Sequence, residues 1–260
     1  MSFIFDGKQY TSTADVQAVI GYEMINQANI LHTDFVLDAG CGIGNLTLDI
    51  AKKASEGHVV GIDISESMIK KCIENAINDG IHNAEFFVSD LSEISYDTEF
   101  NLIFSNSVFH WVRNSEQVLV KFIRALKPKG NIAIQFPLLN ANHPLIYFTD
   151  KTIDKLNIKS LFVGWDFPWY VPSEFDFQSL LADCGFMNIN VAKTNSTYRF
   201  NGAKEVFEFF CSIGLQLYLD ALPEPQVELF IQALRNQIAQ YENDGHIDLI
   251  FERIFASASR

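Results

Sequence analysis

The chain has 260 residues, 48% of them hydrophobic, and a formal net charge of −13 with only 19 Lys and Arg. That length suits one domain with room for a subdomain. So acidic a chain lacks the basic footprint with which nucleic-acid binders neutralise phosphates, so no nucleic-acid partner is expected. No apolar run reaches the roughly 18 residues of a spanning helix, so no membrane partner is expected either. The opening Met-Ser-Phe-Ile-Phe-Asp has no basic segment before an apolar one and reads as no signal peptide. Cys41, Cys72, Cys184 and Cys211 are scattered without a C-x-x-C pair. That pattern argues for reduced thiols in a cytoplasm and against a zinc site.

The stretch from about Thr13 to Asn29 has helical patterning and is expected to cover one edge of a ligand site. Phe35-Val36-Leu37 then reads as a short strand ending in Asp38. Gly40, Gly42 and Gly44 follow at alternate positions, and a helix is expected from about Asn45. A strand that turns through glycines into a helix N-terminus is a nucleotide-binding turn. Ligand atoms can approach a backbone without Cβ, and the N–H groups of the first helical turn face them. A dinucleotide turn runs G-x-G-x-x-G, whereas this one runs G-x-G-x-G with Asn at 45. An acid at the strand tip would repel a pyrophosphate and suit a cation. S-adenosylmethionine has that chemistry, with a sulfonium, an ammonium and one carboxylate on an adenosine.

His58–Asp63 reads as a second strand ending in an acid, 19 residues past Gly44. That is about the spacing at which such an acid meets a ribose hydroxyl pair. Ser65 is the expected N-cap of a helix with apolar residues at 68, 69, 72, 73, 76 and 77. Ala84–Asp90 reads as a third strand, placing Asp90 to accept the exocyclic amine of adenine. Phe100–Ser105 is the fourth, followed by Asn106-Ser-Val-Phe-His-Trp111. A helix from Ser115 to Leu126 ends in Leu126-Lys-Pro-Lys-Gly130, and Gly130–Phe136 is the fifth strand. After 137 the alternation breaks. A helix is expected over Ser173–Cys184, a strand over Met187–Phe200, helices from Ala203 to about Tyr241 interrupted at Pro223 and Pro225, and a last strand over His246–Ala256.

These motifs, LDAGCGIG, GIDIS, SD and SNSVFHWV, stand in the order of the class I S-adenosylmethionine-dependent methyltransferases, which residues 35 to 140 resemble. Within that superfamily the chain is most similar to the trans-aconitate and malonyl-carrier-protein methyltransferase group. The shared features are Lys8-Gln-Tyr10, FHWV at 109–112, AIQFP at 133–137 and IDLIFERIFASAS at the end. The resemblance implies an α/β, Rossmann-like, seven-stranded, mostly parallel sheet with helices on both faces and a helical lid over the carboxyl ends of the strands. It implies a cofactor core over 30–137 and lid or substrate-binding insertions over 138–185 and 201–245. S-adenosyl-L-methionine is the implied cofactor and a small molecule the implied substrate. Asn106-Ser-Val-Phe109 stands where DNA amino-methylating enzymes carry an Asn/Asp-Pro-Pro-aromatic turn.

The cofactor-binding residues expected are Asp38, Gly40, Cys41, Gly42, Asp63 and Asp90. The resemblance adds Tyr10, Gln17, Ile64, Met68, Leu91 and Asn106. Cys41 reads as filler in the turn, because methyl transfer from a sulfonium needs no covalent enzyme intermediate. Asp90 also suits a helix cap, and Tyr10 also suits packing on the sheet edge. His110 and Trp111 are expected at the substrate, with His110 orienting it and not taking a proton, although His is the side chain best suited to a base near neutrality. Trp165 and Trp169 are expected to line an apolar substrate pocket, their alternative being plain core. The reaction expected is methyl transfer to a small acceptor, possibly a carboxylate, by in-line displacement. A nicotinamide-dependent oxidoreductase and an inactive methyltransferase-like partner protein are the rival readings. The missing third dinucleotide glycine disfavours the first, and the intact acids and glycines disfavour the second.

Overall fold

The computed structural model describes residues 14–165, 167–170 and 172–260, with side chains from residue 21 onward. Tyr10 lies outside the described residues, and Gln17 lies in a helix whose side chains there are outside them too. The described chain groups into two compact units. One comprises residues 14–137, Trp169–Thr194 and Arg253–Arg260; the other comprises Leu138–Pro168 and Asn195–Glu252.

The first unit carries the sheet. Strands β1 (Phe35–Ala39), β2 (His58–Asp63), β3 (Ala84–Val88), β4 (Phe100–Asn106) and β5 (Leu126–Pro137) alternate with helices except between β3 and β4. Helix α1 (Ala14–Gln27) precedes β1. Helices α2 (Asn45–Lys53), α3 (Glu66–Asp79) and α4 (Ser115–Ala125) link the strands. Strands β6 (Met187–Phe200) and β7 (Ile247–Ser259) complete the order β3-β2-β1-β4-β5-β7-β6. β1 pairs in parallel with both β2 and β4, and β5 pairs antiparallel with β7. The chain thus leaves β1 in one direction and returns to its other side at β4. That reversal opens a crevice at the carboxyl ends of β1 and β4, where ligands bind in open α/β sheets.

Local chemistry sets these elements. Ser65 caps α3 by accepting from the Met68 N–H, and Gly80 closes it in a left-handed conformation. Met68, Ile69, Cys72 and Ala76 form its buried stripe. α4 buries Val118, Leu119, Phe122 and Ala125 in the same spacing. The helix stops at Ala125, at the expected Leu126–Gly130 stop, and β5 begins there, earlier than expected, with Leu126 paired to Phe100.

Helix α6 (Glu174–Asp183), started by a Ser173–Asp176 capping box, belongs to the sheet unit. Its Phe177 is fully buried, with ring centroids 5.9 Å from Phe109 and 5.0 Å from Phe136. The second unit holds α5 (Pro144–Leu156), α7 (Ala203–Ile213), α8 (Leu215–Asp220) and α9 (Glu224–Ala239). The pattern reading gave no helix at 144–156, because Thr149 and Thr152 interrupt the apolar stripe. Both are fully buried and donate their hydroxyls at 2.7 Å to carbonyls four residues back, which lets Thr occupy an apolar face.

Candidate active site

Asp38 at the tip of β1 is 2% exposed and accepts a hydrogen bond from Thr47 Oγ1 at 2.6 Å. Burial pushes its carboxyl up to about 7; the Thr47 bond opposes the rise and Asp63 adds to it. A buried acid that is half neutral at neutral pH is suited to a cationic ligand, which favours its ionised form.

In the turn that follows, Gly42 has φ 55°, and a Cβ added there would meet nothing within 4 Å. It faces open space, as close approach of a ligand to the backbone requires. Gly40 has a different role. A Cβ there would lie 2.2 Å from Val108 Cγ2, so its lack of side chain lets the turn pack on the segment after β4. The Gly40 and Cys41 N–H groups both donate to the Ile62 carbonyl, at 2.8 and 2.9 Å. The Cys41 side chain packs inward with Ile69 and Cys72. Its Sγ is 3.8 Å from that of Cys72. Hydrogen bonding with Cys72, together with burial, pushes the Cys41 thiol well up, which suits filler and not a nucleophile.

Asp63 joins the second strand to this turn. Its Oδ2 accepts from the Gly42 N–H at 3.0 Å and its Oδ1 from the Ser65 N–H at 2.9 Å. Burial raises its pKa while backbone N–H groups of Ser65, Gly42 and Ile64 oppose the rise. Ile64 beside it is 64% exposed, an apolar surface at the strand tip, whereas Met68 is 2% exposed and packs inside. Asp90 Oδ1 accepts from the Ser92 N–H at 2.7 Å, so it caps the turn after β3. Leu91 beside it is buried.

The end of β4 is fastened to β1 by Ser105 Oγ, which donates to the Ala39 carbonyl at 2.8 Å. Asn106 Oδ1 is buried without a hydrogen-bond partner. A short 3₁₀ turn, Phe109–Trp111, then presents His110, which is 5% exposed. Its ring centroid is 5.2 Å from Trp111 and 4.8 Å from Trp169, and the two indoles are 5.0 Å apart. The Tyr170 N–H donates to the His110 carbonyl at 2.8 Å, pinning residues 169–170 to this turn. Three of the four residues expected at the substrate are thus one cluster. Trp165 lies in the other unit, with ring centroids 4.9 Å from Tyr218 and 5.3 Å from Phe162.

The pattern reading missed Thr47, Ser107, Gln135 and Arg253. Ser107 donates its hydroxyl to Gln135 Oε1 and accepts from Arg253 Nη1, each at 3.3 Å. Gln135 is fully buried and Arg253 is 4% exposed. A polar residue inside the apolar run Ile132–Phe136, and a charge inside Phe251–Ile254, were the available signals. A separate groove along α4, lined by residues including Arg113, Lys121 and Tyr170, contains none of the strand-tip residues.

Residues 32–163, just over half of the chain, match a family model described as a methyltransferase domain. The chain is 27% identical over 256 residues to the trans-aconitate 2-methyltransferase of Sinorhizobium medicae, covering 97% of each chain. It is 30% identical over 131 residues to the malonyl-[acyl-carrier protein] O-methyltransferase of Priestia megaterium, which is 48% of this chain and 46% of that one. In fold it is similar to Haemonchus contortus phosphoethanolamine N-methyltransferase 2 in complex with S-adenosyl-L-methionine. That likeness has a TM-score of 0.58 at 16% identity, over 92% of this chain and 51% of the other.

Proposed function

This chain belongs to the methyltransferase family, as an S-adenosylmethionine-dependent enzyme on a class I sheet, and on that premise we propose that it methylates a carboxylate oxygen of a small organic acid. The observation that carries the donor site is the glycine turn, where the open position at Gly42 lies against the Asp63 carboxylate and follows the Asp38 strand tip. The full-length similarity to a methyltransferase of a small tricarboxylic acid supports the acceptor class.

The residues present fit the donor. Asp63 would accept the ribose hydroxyls and Ile64 would offer its exposed apolar surface to the base. Asp90 and Leu91 would meet the adenine edge, and the Gly40–Gly42 backbone and Asp38 the charged end. In this reading Asn106, Tyr10 and Gln17 complete the methionine end, while Cys41 and Met68 support it from inside. Bound there, S-adenosylmethionine supplies an electrophilic methyl group. The protein's task is to orient the acceptor and exclude water, which alone can contribute several kcal/mol, about 7–11 in well-aligned reactions. A carboxylate is ionised at neutral pH and needs no base. His110 accordingly acts as a hydrogen-bonding guide, set in the wall formed with Trp111 and Trp169. Trp165 belongs to the insertions, 138–185 and 201–245, that we assign to substrate selection. No helix among the described residues is long and apolar enough to cross a membrane. The scattered cysteines support a cytoplasmic location.

The test is S-adenosylhomocysteine formation against a panel of carboxylic acids, amines and phenols, with the product then treated with alkali. Turnover is expected with acids only, and alkali should release the transferred methyl as methanol, as an ester must. An alkali-stable methyl group, or turnover with amines or phenols alone, would overturn the reading.

A further inference from the structure

We propose that Cys72 and Asn75, two side chains of α3, are positioning residues for the donor: they hold the carbonyls of Gly42 and Ile43 and so fix the face that the glycine turn presents to S-adenosylmethionine. The inference rests on the donor assignment of that turn and not on the choice of acceptor.

The need for such holders comes from Gly42 itself. With φ 55° and open space where a Cβ would stand, it lets a ligand approach, yet a glycine imposes little preference on its own backbone angles. The peptide units around it can rotate unless groups outside the turn hold them. Asp63 holds the first by accepting the Gly42 N–H at 3.0 Å. Cys72 holds the second, its Sγ donating to the Gly42 carbonyl at 3.0 Å. Asn75 holds the third, its Nδ2 donating to the Ile43 carbonyl at 3.0 Å. Three consecutive peptide units are thus fastened from outside. A peptide unit is planar and trans, so its C=O and N–H point opposite ways. Drawing the Gly42 carbonyl onto Cys72 turns the Ile43 N–H away from α3. With the Ile43 carbonyl drawn onto Asn75, the Gly44 N–H donates to the Cys41 carbonyl at 3.0 Å and closes the turn.

The three holders belong to one continuous stretch of chain. Ser65 caps α3 two residues after Asp63, so the helix starts at the strand tip. Residues 72 and 75 are three apart and are therefore neighbours on one helix face. Cys72 is fully buried and packs with Cys41 and Ile69, while Asn75 is half-buried. A Cβ on Gly44 would stand 3.0 Å from Cys72 Sγ, so the end of the turn lies close against the same thiol. The two bonds differ in strength. An amide N–H is a full donor and a thiol a weak one, so Asn75 carries the larger share. Both act through the backbone, and neither needs to touch the donor.

Calorimetric titration with S-adenosylhomocysteine, read beside the melting temperature, tests the latch. Wild type is expected to bind. Asn75→Asp keeps the shape but sets a carboxylate against the Ile43 carbonyl, and should weaken binding about tenfold or more. Cys72→Ala should weaken it about threefold, and Cys72→Ser, which restores a hydroxyl donor, should return it to within about twofold of wild type. Ala76→Gly is the control. It lies in the same buried stripe and lowers helix stability with no side-chain bond to lose, so the melting temperature should fall while affinity stays within about twofold. If Asn75→Asp does not fold, Asn75→Ala must weaken binding about threefold or more. Unchanged affinity in folded Asn75 and Cys72 variants, a serine that fails to recover what alanine loses, or a loss in Ala76→Gly equal to that in Asn75→Asp would each overturn the latch. Absence of S-adenosylhomocysteine binding by wild type would overturn the donor assignment of the turn, and the latch with it.

Discussion

Between Asp38 and Asp90, the polar groups assigned to the donor sit at the tips of three successive strands, each held by a group a few residues away or on the adjoining turn. Asp63 takes N–H groups from Gly42 and Ser65, and Asp38 takes the hydroxyl of Thr47 nine residues on. The polar cluster between β4, β5 and β7 is assembled differently. Ser107, Gln135 and Arg253 come from β4, β5 and β7, up to 146 residues apart, and meet only through the sheet. Trp169 reaches His110 from beyond β5. Local geometry thus builds the turn that we assign to the donor. A site made of distant side chains can be altered one position at a time, so acceptor choice can diverge while the donor site stays.

The largest expected effect lies on the donor side. Asp63→Ala should weaken S-adenosylmethionine binding about 10- to 100-fold, since it removes a charged acceptor and also frees the Gly42 N–H that it fixes. Calorimetry on the folded variant checks this, and unchanged affinity would break the division between the two halves.

A smaller effect is expected at the boundary between them. His110→Ala should lower kcat/KM for the acceptor about tenfold, the scale of one hydrogen bond, while His110→Gln retains most of the rate. Donor affinity should not move. A base would contribute about 10²–10⁴-fold and leave an ionisation in the pH–rate profile that both variants lose. Finding that loss in both would assign proton transfer to His110.

The smallest effect is a pH dependence written into Asp38. Its folded pKa, pushed up to about 7 by burial, lies above the unfolded value near 3.8. The fold therefore favours the protonated form. This contribution to stability is full below about pH 4 and is lost as pH rises through about 7. Asp38→Asn should remove the loss, so its melting temperature should gain on wild type by a few degrees between pH 5 and 8. Over the same range wild type, but not the variant, should bind the cationic donor more tightly as pH rises. Parallel melting curves for the two proteins across that range would show that Asp38 does not titrate there.

The sequence by itself determined the alternation of strands and helices through Phe136 and the succession of Asp38, Gly42, Asp63 and Asp90. Both rest on local rules: strand tips, cap residues and glycine turns lie within a few residues of what they serve. The family resemblance is carried by the same stretch. Beyond residue 137 the sequence marked β6, β7 and the proline breaks, yet it left α5 unread because buried Thr imitates surface polarity while bonding its own helix. Only the tertiary structure decided that Gly40 serves packing against Val108, that Asp90 caps a turn, that Met68 points inward, and that Trp165 and Trp169 belong to different units. It alone joined Arg253 to Ser107 and Gln135. A strand sequence records that a residue alternates inward, but which strands become neighbours, and in which direction they run, is settled by burial summed over the whole sheet.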